Sequence, residues 1–597
     1  MRAALASLIV FVAATAAAQD RLLARFDAPG APAEVAEMLV KLLEARQRIV
    51  AIEADLDAAD EERLLRQLRE DTLGALATEG YFAPSIRIAP DRGEGARYVL
   101  QIELGPRARI GKVDLVLRGP IEKQPQRIAE LRAAWELAIG APFRDSVWST
   151  AKSRLLARVQ EKDYAAARLV DSLAEVDPDA HSVSLRVEID SGPPFTVGEL
   201  QIEGLKRYGR DLVERFNPTK PGDRYDVLQL LEFQRRMQRS PYFSSVGVVV
   251  EPDPQRADRA PIVVKVTEAQ TKRVSFGLGY STNTGPRAEA LYRQALIFGY
   301  PYTLQTGVGV DRTRAIVYSD LLLPPKPNGA LDSLGVLYER SDIEDVITHR
   351  WGAGAARTHL REAAEATIET RLALNLQREL RRNALTPDVP GVTSDTAFGT
   401  YTWTRRAVDE VTDPRRGHIL SGTAGAGINR DILRSLVSNV FTYTHARYVR
   451  YQPLPLADPK RNVLIARVEL GRTFSDNPDI VPKDLLFTAG GVGSVRGYAY
   501  QALGRRAGTA RPGGTLLAVG SLEAVHWFSN EWGGAVFVDV GDAADSRREL
   551  SFGRGAGFGA RWKTLAGPLA LDLAYGERRP DGSGGRWRVH FAVAIAF

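Results

Sequence analysis

The sequence contains no cysteine and only seven histidines among its 597 residues. The absence of cysteine excludes disulfide bonds, thiolate catalysis and cysteine-ligated metals. The histidines lie far apart, and none shows the His-Glu-x-x-His spacing of a zinc protease. The sequence also lacks a Gly-x-Ser-x-Gly elbow and a phosphate-binding Walker loop. We therefore expect no enzymatic activity, no cofactor and no bound metal.

Four glycines recur at every second position from Gly553 to Gly559, which invites comparison with a dinucleotide-binding loop. Such a loop joins a strand to a helix, whereas these glycines alternate within a single strand-like run. We therefore do not predict a dinucleotide site.

Strong charge and long apolar runs are also absent. The 79 basic and 73 acidic residues give a formal net charge of +6, and no basic cluster is interleaved with aromatic residues, so no nucleic-acid partner is expected. No apolar run after the N-terminus is long enough to cross a membrane as a helix.

The N-terminus has Arg2, then an apolar stretch and three small residues. We predict a signal peptide over residues 1–18.

The last twelve residues alternate without interruption between apolar side chains and charged or small ones. Successive side chains of a strand point to opposite faces, so this segment predicts a strand with one apolar face. At helical spacing the same residues would be scattered around the axis. An edge strand of a β-sandwich is the alternative. The apolar positions are Trp587, Val589, Phe591, Val593, Ile595 and Phe597.

Residues 274–280, 464–470 and 569–575 show the same alternation. Charges at their intervening positions, such as Glu469, would be costly in a dry sandwich core but suit a water-filled lumen. At roughly 20 residues per strand and connection, the remaining chain accommodates about 16 strands. We therefore predict a C-terminal antiparallel transmembrane β-barrel over residues 271–597, with a tight periplasmic turn at 413–417.

Residues 19–270 alternate amphipathic helices with short strands in three loosely similar units. In each unit a helix runs into an aromatic residue, such as Tyr81 or Tyr242, and strands follow. This α+β plan, β-α-α-β-β, resembles the polypeptide-transport-associated (POTRA) domain and implies three periplasmic repeats. A single irregular α+β domain is the alternative. The implied repeats cover residues 19–108, 109–192 and 193–270.

A glycine-rich nonapeptide, Gly490–Tyr498, follows a polar stretch that begins at Thr473. It resembles the loop-six motif of the BamA-like outer-membrane assembly superfamily, in which a long extracellular loop folds back into the barrel. The resemblance implies such a loop over about residues 473–510, with an arginine at its tip that meets an acidic group on the inner wall. The implied motif residues are Gly490, Gly491, Ser494, Val495, Arg496, Gly497 and Tyr498.

Residues 537–541 resemble the Phe-x-Asp-x-Gly wall strand of that superfamily. Alternation places Asp539 on the face opposite three valines, and the valine face suits lipid, so Asp539 is predicted to face the lumen. A bidentate ion pair with Arg496 would fix the loop there. A solvated arginine with no fixed partner is the alternative. The implied wall residues are Phe537, Asp539, Gly541 and, from the preceding strand, Glu523.

Two further segments, 276–287 and 557–569, resemble the first strand and turn and the penultimate strand pair of the TamA family, the translocation and assembly module subunits. That family also has three POTRA repeats. The resemblance implies a factor in the outer membrane of a Gram-negative bacterium that inserts β-barrel proteins such as autotransporters. Its implied partners are a TamB-like protein anchored in the inner membrane, unfolded outer-membrane clients and outer-membrane lipid.

The expected mechanism is a lateral seam between the first and last barrel strands, which offers unpaired strand edges to a client strand when it opens. A polypeptide-secreting pore of the two-partner type, a relative specialised for lipid traffic and a passive porin remain as alternatives. The seam positions are Val274, Phe276, Leu278, Tyr280, Phe591, Val593, Ile595 and Phe597.

Overall fold

The computed structural model of the chain describes most residues from Leu22 onwards. The predicted signal peptide and Phe597 lie outside the described residues. Within the described part, no helix has both the length and the hydropathy needed to cross a membrane. The described ranges are 22–50, 58–91, 96–363, 365–385, 391–431, 438–455, 461–506, 511–564, 567–580 and 582–596.

The chain divides into two compact units. The third of the small sheets described below contributes segments to both units. The first unit comprises Met1–Gln201, Thr219–Glu232 and Val248–Val264, and the second comprises Ile202–Pro218, Phe233–Gly247 and Lys265–Phe597.

Three small sheets precede the barrel, and each is built in the order β-α-α-β-β with the last strand in the middle of the sheet. The first repeat contains β1 (Leu22–Asp27), α1 (Ala33–Val50), α2 (Ala58–Thr78), β2 (Ser85–Pro90) and β3 (Ala96–Glu103). The second contains β4 (Arg109–Arg118), α3 (Pro125–Ala133), α4 (Asp145–Gln160), β5 (Arg168–Asp177) and β6 (Ser182–Asp190). The third contains β7 (Val197–Glu203), α5 (Arg210–Glu214), α6 (Val227–Gln238), β8 (Phe243–Val250) and β9 (Ala260–Glu268).

Residue spacing explains how each repeat packs. In α4, buried residues recur every three or four positions and place one face of the helix on its sheet. In β6, buried residues recur every second position and meet that helix. The two periods form one apolar core in the second repeat. Its members include Trp148, Ala151, Leu155 and Val159 of α4, and Val183, Leu185, Val187 and Ile189 of β6.

Sixteen antiparallel strands then close into a barrel, so the predicted fold class is confirmed. Each strand pairs with its neighbours in sequence, and β10 pairs with β25 to close the barrel. The strands are β10 (Lys272–Ser281), β11 (Gly285–Gln294), β12 (Thr303–Asp311), β13 (Arg314–Leu322), β14 (Ala330–Ile343), β15 (Val346–Ala363), β16 (Ala366–Asn383), β17 (Val392–Val408), β18 (Gly417–Asp431), β19 (Asn439–Pro453), β20 (Asn462–Ser475), β21 (Leu516–Trp527), β22 (Trp532–Ala544), β23 (Gly553–Thr564), β24 (Gly567–Gly576) and β25 (Arg586–Ala596).

The barrel has an apolar outside and a polar inside. On β16, Leu374 and Leu376 on the outer face are 65% and 64% exposed, whereas Gln377 and Glu379 on the inner face are 9% and 1% exposed. Because strand side chains alternate, this pattern repeats around the wall. The outer face is therefore suited to lipid and the inner face to water or to polar protein groups.

The connection between β17 and β18 differs from the predicted tight turn at 413–417. It spans the eight residues 409–416, and the Asp409 carboxylate accepts hydrogen bonds from the backbone N–H groups of Glu410, Arg415 and Arg416. Gly417 then begins β18 at a φ of 114°, and a Cβ there would lie 2.0 Å from the backbone oxygen of Ala407. The glycine is required by this close approach, but the carboxylate organises a longer loop.

The seam between β10 and β25 is short. Only Gly277–Ser281 pair with Ala592–Ala596 among the described residues, which gives five register pairs, compared with ten between β10 and β11. The side chain and backbone of Thr282 extend this ladder by hydrogen bonds to the backbone of Phe591. Of the predicted seam residues, Val274, Phe276, Leu278 and Tyr280 are exposed on the outer face, and Phe591 and Val593 are half-buried.

Within the second unit, two tyrosines of the third repeat contact the turn between β11 and β12. The Tyr208 hydroxyl donates to the backbone oxygen of Ala295 at 3.2 Å, and the Tyr242 hydroxyl donates to that of Pro301 at 2.7 Å. Burial raises the pKa of Tyr242 to about 12, so this hydroxyl keeps its proton at neutral pH. These contacts fix segments of the third repeat against the barrel turn.

Glu268, at the end of β9, holds the segment that carries Tyr208. Its carboxylate accepts hydrogen bonds from the Arg207 side chain and from the backbone N–H groups of Lys206, Arg207 and Tyr208, at 2.8–3.2 Å. Burial alone would raise the pKa of Glu268, but these hydrogen bonds outweigh it and lower the pKa to about 2. The ionised form is therefore favoured in the folded protein.

We expect the substitution Glu268→Gln to loosen this segment. A folded-state pKa below the unfolded value gives stability that is present above about pH 4.5 and is lost as the pH falls towards 2. Hydrogen exchange of the full chain in detergent should show protection factors at residues 206–208 that fall about tenfold or more in the variant. In the unmodified chain, protection at these amides should also fall between about pH 5 and pH 2.

Glu203→Gln is the matched control, because Glu203 lies on the same repeat but its side chain is 61% exposed. Its protection factors should match those of the unmodified chain. Equal protection in the two variants would mean that Glu268 does not hold the segment.

Candidate functional site

The connection between β20 and β21 is by far the longest in the barrel, and its described part, 476–506 and 511–515, folds into the lumen. We refer to residues 476–515 as loop six. Val495, Tyr498 and Leu503 are at most 1% exposed. They pack against the inward-facing side chains of Leu517 and Val519 and form a small apolar core inside the barrel. Loop six is therefore part of the packed interior.

The first half of loop six is attached to β16, β17 and β18. The backbone oxygen of Ile480 accepts hydrogen bonds from the Ser394 hydroxyl at 2.7 Å and the Asn429 side chain at 2.5 Å. The buried Glu379 carboxylate accepts the backbone N–H of Lys483 at 3.1 Å. The loop thus reaches across to this part of the wall before it turns towards its glycine-rich tip.

At the tip, Arg496 meets Asp539 of β22. The Nε and Nη2 atoms of Arg496 donate to Oδ2 and Oδ1 of Asp539 at 2.8 and 3.1 Å, and the backbone N–H of Arg496 donates to Oδ2 at 3.0 Å. The side chains are 7% and 0% exposed. The guanidinium carbon also lies 3.3 Å from the ring centre of Phe537. The structure thus brings together three residues named from the sequence.

Glu523 joins the same group, together with two residues that the sequence analysis did not assign. The Arg496 Nη1 atom donates to Glu523 at 2.7 Å and to Asp572 of β24 at 3.0 Å. Arg561 of β23 donates to both of these carboxylates, at 2.6 and 2.5 Å. Inward alternation along β23 and β24 predicts that Arg561 and Asp572 face the lumen, but not which charges they meet.

Glycines let the loop tip approach the wall. A Cβ at Gly555 of β23 would lie 1.9 Å from the backbone oxygen of Arg496, so any side chain there would displace the tip. A Cβ at Gly497 would lie 2.5 Å from the backbone nitrogen of Gly576 of β24, and Gly497 has a φ of 93°. A Cβ at Gly553 would lie 3.0 Å from side-chain atoms of Leu503 and Tyr498. Gly553 and Gly555 therefore form part of the surface on which the loop rests.

Loop six also contacts both sides of the seam. On the β10 side, the backbone N–H of Val492 donates to Asn283, in the turn after β10, at 3.3 Å. On the β25 side, the backbone N–H of Gly497 donates to the Nε2 atom of His590 at 2.8 Å. The imidazole must be unprotonated at Nε2 to accept this bond. The tip thus connects the turn that follows β10 to β25, on the two sides of the seam.

The remaining motif residues shape the tip itself. The Ser494 hydroxyl accepts the backbone N–H of Gly490 at 2.7 Å, and the Tyr498 hydroxyl donates to the backbone oxygen of Glu577 at 2.6 Å. Gly490 and Gly491 have φ values of 108° and 96°. Gly541 leaves room for Val495, because a Cβ there would lie 2.9 Å from a Val495 methyl group.

The cluster of two guanidinium groups and three carboxylates is saturated with internal ion pairs. It holds the loop and leaves no arrangement typical of a nucleophile and base. Among the described residues there is also no group of three or more His, Cys, Asp or Glu side chains positioned to hold a metal ion. The geometry therefore supports a positioning role for the site.

Comparison with protein families gives two matches. The model of the Omp85 superfamily domain matches residues 268–597, and the POTRA model, described as a surface antigen variable number repeat, matches residues 195–269. The first covers more than half of the chain and the whole barrel. The chain belongs to the Omp85 superfamily.

Two curated Omp85-type relatives are similar at low identity. An outer membrane protein assembly factor BamA from Nitratidesulfovibrio vulgaris is 23% identical over 71% of this chain and 53% of its own length. BamA from Neisseria meningitidis serogroup B is 21% identical over 68% of this chain and 52% of its own length. The chain thus spans about half the length of the curated relatives that it matches.

A crystal structure of BamA from Haemophilus ducreyi lacking POTRA domains 1–3 superimposes with a TM-score of 0.65 at 18% identity. The match covers 82% of this chain and all of that one. The likeness establishes a shared fold of POTRA repeats followed by a 16-stranded barrel.

Arg496→Ala should release loop six while the barrel stays folded. The change leaves the Asp539 carboxylate buried without its cation, and removing one partner of a buried ion pair costs about 3–5 kcal/mol. We expect faster hydrogen exchange over residues 490–503 and unchanged heat-modifiable gel mobility. Arg496→Lys should give an intermediate result, because lysine keeps the charge but not the bidentate geometry.

Arg547→Ala is the control, since Arg547 is an exposed arginine in the connection between β22 and β23. It should leave exchange over residues 490–503 unchanged. If Arg496→Ala behaves in the same way as this control, the ion-pair cluster does not hold the loop.

Proposed function

We propose that this Omp85-superfamily barrel is an outer-membrane assembly factor of the TamA type, which inserts β-barrel proteins such as autotransporters through the seam between β10 and β25. The observation that carries the proposal is the short seam with loop six attached to both of its sides. The proposal places the barrel in the outer membrane of a Gram-negative bacterium and the POTRA repeats in the periplasm. It involves no enzymatic step.

The seam is the part of the wall that opens at the lowest cost. A closed barrel satisfies its backbone hydrogen bonds in lipid, and opening any one ladder loses them. The β10–β25 ladder has five register pairs among the described residues, whereas β24–β25 has seven and β10–β11 has ten. Separation at the seam would leave two unpaired edges, on which a client strand can form a ladder.

Loop six would act as a clasp in this mechanism. Asn283 and His590 attach its tip to the two sides of the seam, and Arg496 anchors the tip to β21, β22 and β24. An opening of the seam must break at least one of the two attachments while the Arg496 anchor keeps the loop in the lumen. The loop therefore favours reclosure after a client has been released.

The TamA type and its TamB-like partner are the finer part of the proposal. They rest on the resemblance of residues 276–287 and 557–569 to the TamA family. The proposed partners are a TamB-like inner-membrane protein, unfolded outer-membrane clients and outer-membrane lipid.

A disulfide across the seam should stop client assembly. Tyr280 and Val593 face each other in the β10–β25 register, and directly opposed residues have Cβ atoms about 4.5–5.5 Å apart, close to disulfide geometry. Because the chain has no cysteine, the double variant Tyr280→Cys, Val593→Cys adds the only two thiols. Oxidation should block the insertion of an autotransporter barrel in cells, and a reductant should restore it.

The double variant Leu278→Cys, Ala288→Cys is the control, because it joins β10 to β11 by opposed residues on the same outer face. This bond should leave insertion unchanged. Normal insertion with a fully oxidised seam would reject the gate.

Affinity purification of the tagged full chain from solubilised membranes should test the TamA type. We expect a large inner-membrane protein of the TamB kind among the bound proteins. Recovery of a single secreted protein without such a partner would contradict the assembly role and favour a secretion pore. Purification of the Arg496→Ala variant in parallel reports whether capture depends on the folded loop.

A further inference from the structure

The outer face of β15–β18 carries a groove near the barrel end at which β15 and β17 begin. We call it the outer groove, with a volume of about 920 Å³. Its floor contains the small side chains of Ala353 and Ala397, and its sides contain larger apolar ones that are 45–64% exposed. The large side chains are Trp351, Leu376 and Ile428.

Charged side chains line the outer groove next to this apolar floor, on the side nearer the strand ends. Arg378, Asp395 and Arg430 are opposed in the strand register of β16, β17 and β18 and line the outer groove. The carboxylate of Asp395 accepts two hydrogen bonds from Arg378, at 2.7 and 2.8 Å, which hold that guanidinium in place. Arg430 is exposed beside them.

Two more exposed arginines lie on the same outer face, closer to the strand ends. Arg382 is the second outward residue after Arg378 on β16, and Arg340 of β14 lies level with the first. Among the described side chains at this end of β14–β18, four outward arginines thus accompany two outward carboxylates, Asp342 and Asp395. The patch carries an excess of positive charge on an otherwise apolar surface.

On β16 the outward side chains change from apolar to basic at the height of a membrane interface. On β16 the outward residues from Ile368 to Leu376 are almost all apolar, and Arg378 follows. Eight residue steps at about 3.3 Å and a tilt of about 40° give a height of about 20 Å, close to the apolar band of outer-membrane barrels. Arg378 and Arg430 therefore lie where lipid headgroups begin.

We propose that the outer groove binds an outer-leaflet lipid whose headgroup carries phosphate groups. Arg378 and Arg430 would contact the phosphates, since guanidinium groups bind them with charge-assisted hydrogen bonds, and an acyl chain would lie over Ala353 and Ala397 between the larger side chains. A soluble anion would use only the arginines and leave the apolar floor in water. The inference rests on the proposed outer-membrane placement.

The test uses the purified full chain in detergent micelles, titrated with lipid A that carries two phosphates, with dephosphorylated lipid A and with inorganic phosphate. We expect lipid A to bind at least tenfold more tightly than its dephosphorylated form, and inorganic phosphate not to displace it. The double variant Arg378→Gln, Arg430→Gln should lower lipid A affinity at least fivefold. Unchanged affinity in this variant would overturn the proposal, and displacement by inorganic phosphate would show a site for free anions instead.

Arg405→Gln, Arg450→Gln is the matched control, because these arginines lie on the outer face of β17 and β19 near the barrel end opposite the outer groove, and the charge change is the same. Its affinity should stay within twofold of the unmodified chain, and an equal loss would show that binding follows net charge alone. Heat-modifiable mobility confirms folding of both variants. Client insertion is scored separately, so lipid binding without insertion rejects the proposed function and leaves the groove in place.

Discussion

The ion pairs of Arg496 are the interaction on which the interior of this barrel depends. A guanidinium that is 7% exposed would be very costly without partners. Here its donors meet three carboxylates, from β21, β22 and β24, and its planar face lies on the Phe537 ring. Because those carboxylates sit on separate strands, the arginine joins loop six and the wall into one packed body.

Several features of the sequence follow from that requirement. The tip must come within van der Waals contact of the wall, so β23 and β24 carry glycines where a Cβ would strike the loop backbone. Three carboxylates around the single guanidinium of Arg496 would leave an excess of negative charge, and Arg561 offsets part of it by bonding Glu523 and Asp572. A polar interior is stable only when its members are satisfied together, and this explains why the glycines and charges occur as one group.

Most of the fold could be predicted from the sequence, because alternation reports the two faces of a strand directly. The same rule predicted that Asp539 faces the lumen, and the structure places it there. Alternation gives a face but not a position around the barrel, which depends on strand tilt and stagger. For that reason Asp572, Arg561 and His590 were recognisable as inward residues while their partners were not. The Asp409 loop was missed because its hydrogen bonds involve backbone groups that no pattern reveals.

The seam and loop six are best understood together. Among the described residues, the β10–β25 ladder has five register pairs and is a weak closure for a barrel whose other ladders are longer. In the proposed mechanism, a longer ladder would also oppose opening. Loop six offers a different solution, since Asn283 and His590 tie the two sides through a segment that lies in the lumen. Such ties hold the closed state without blocking the strand edges from the membrane side. The closure of the barrel therefore depends on two separate groups of residues, the β10–β25 ladder and the loop-six contacts to Asn283 and His590.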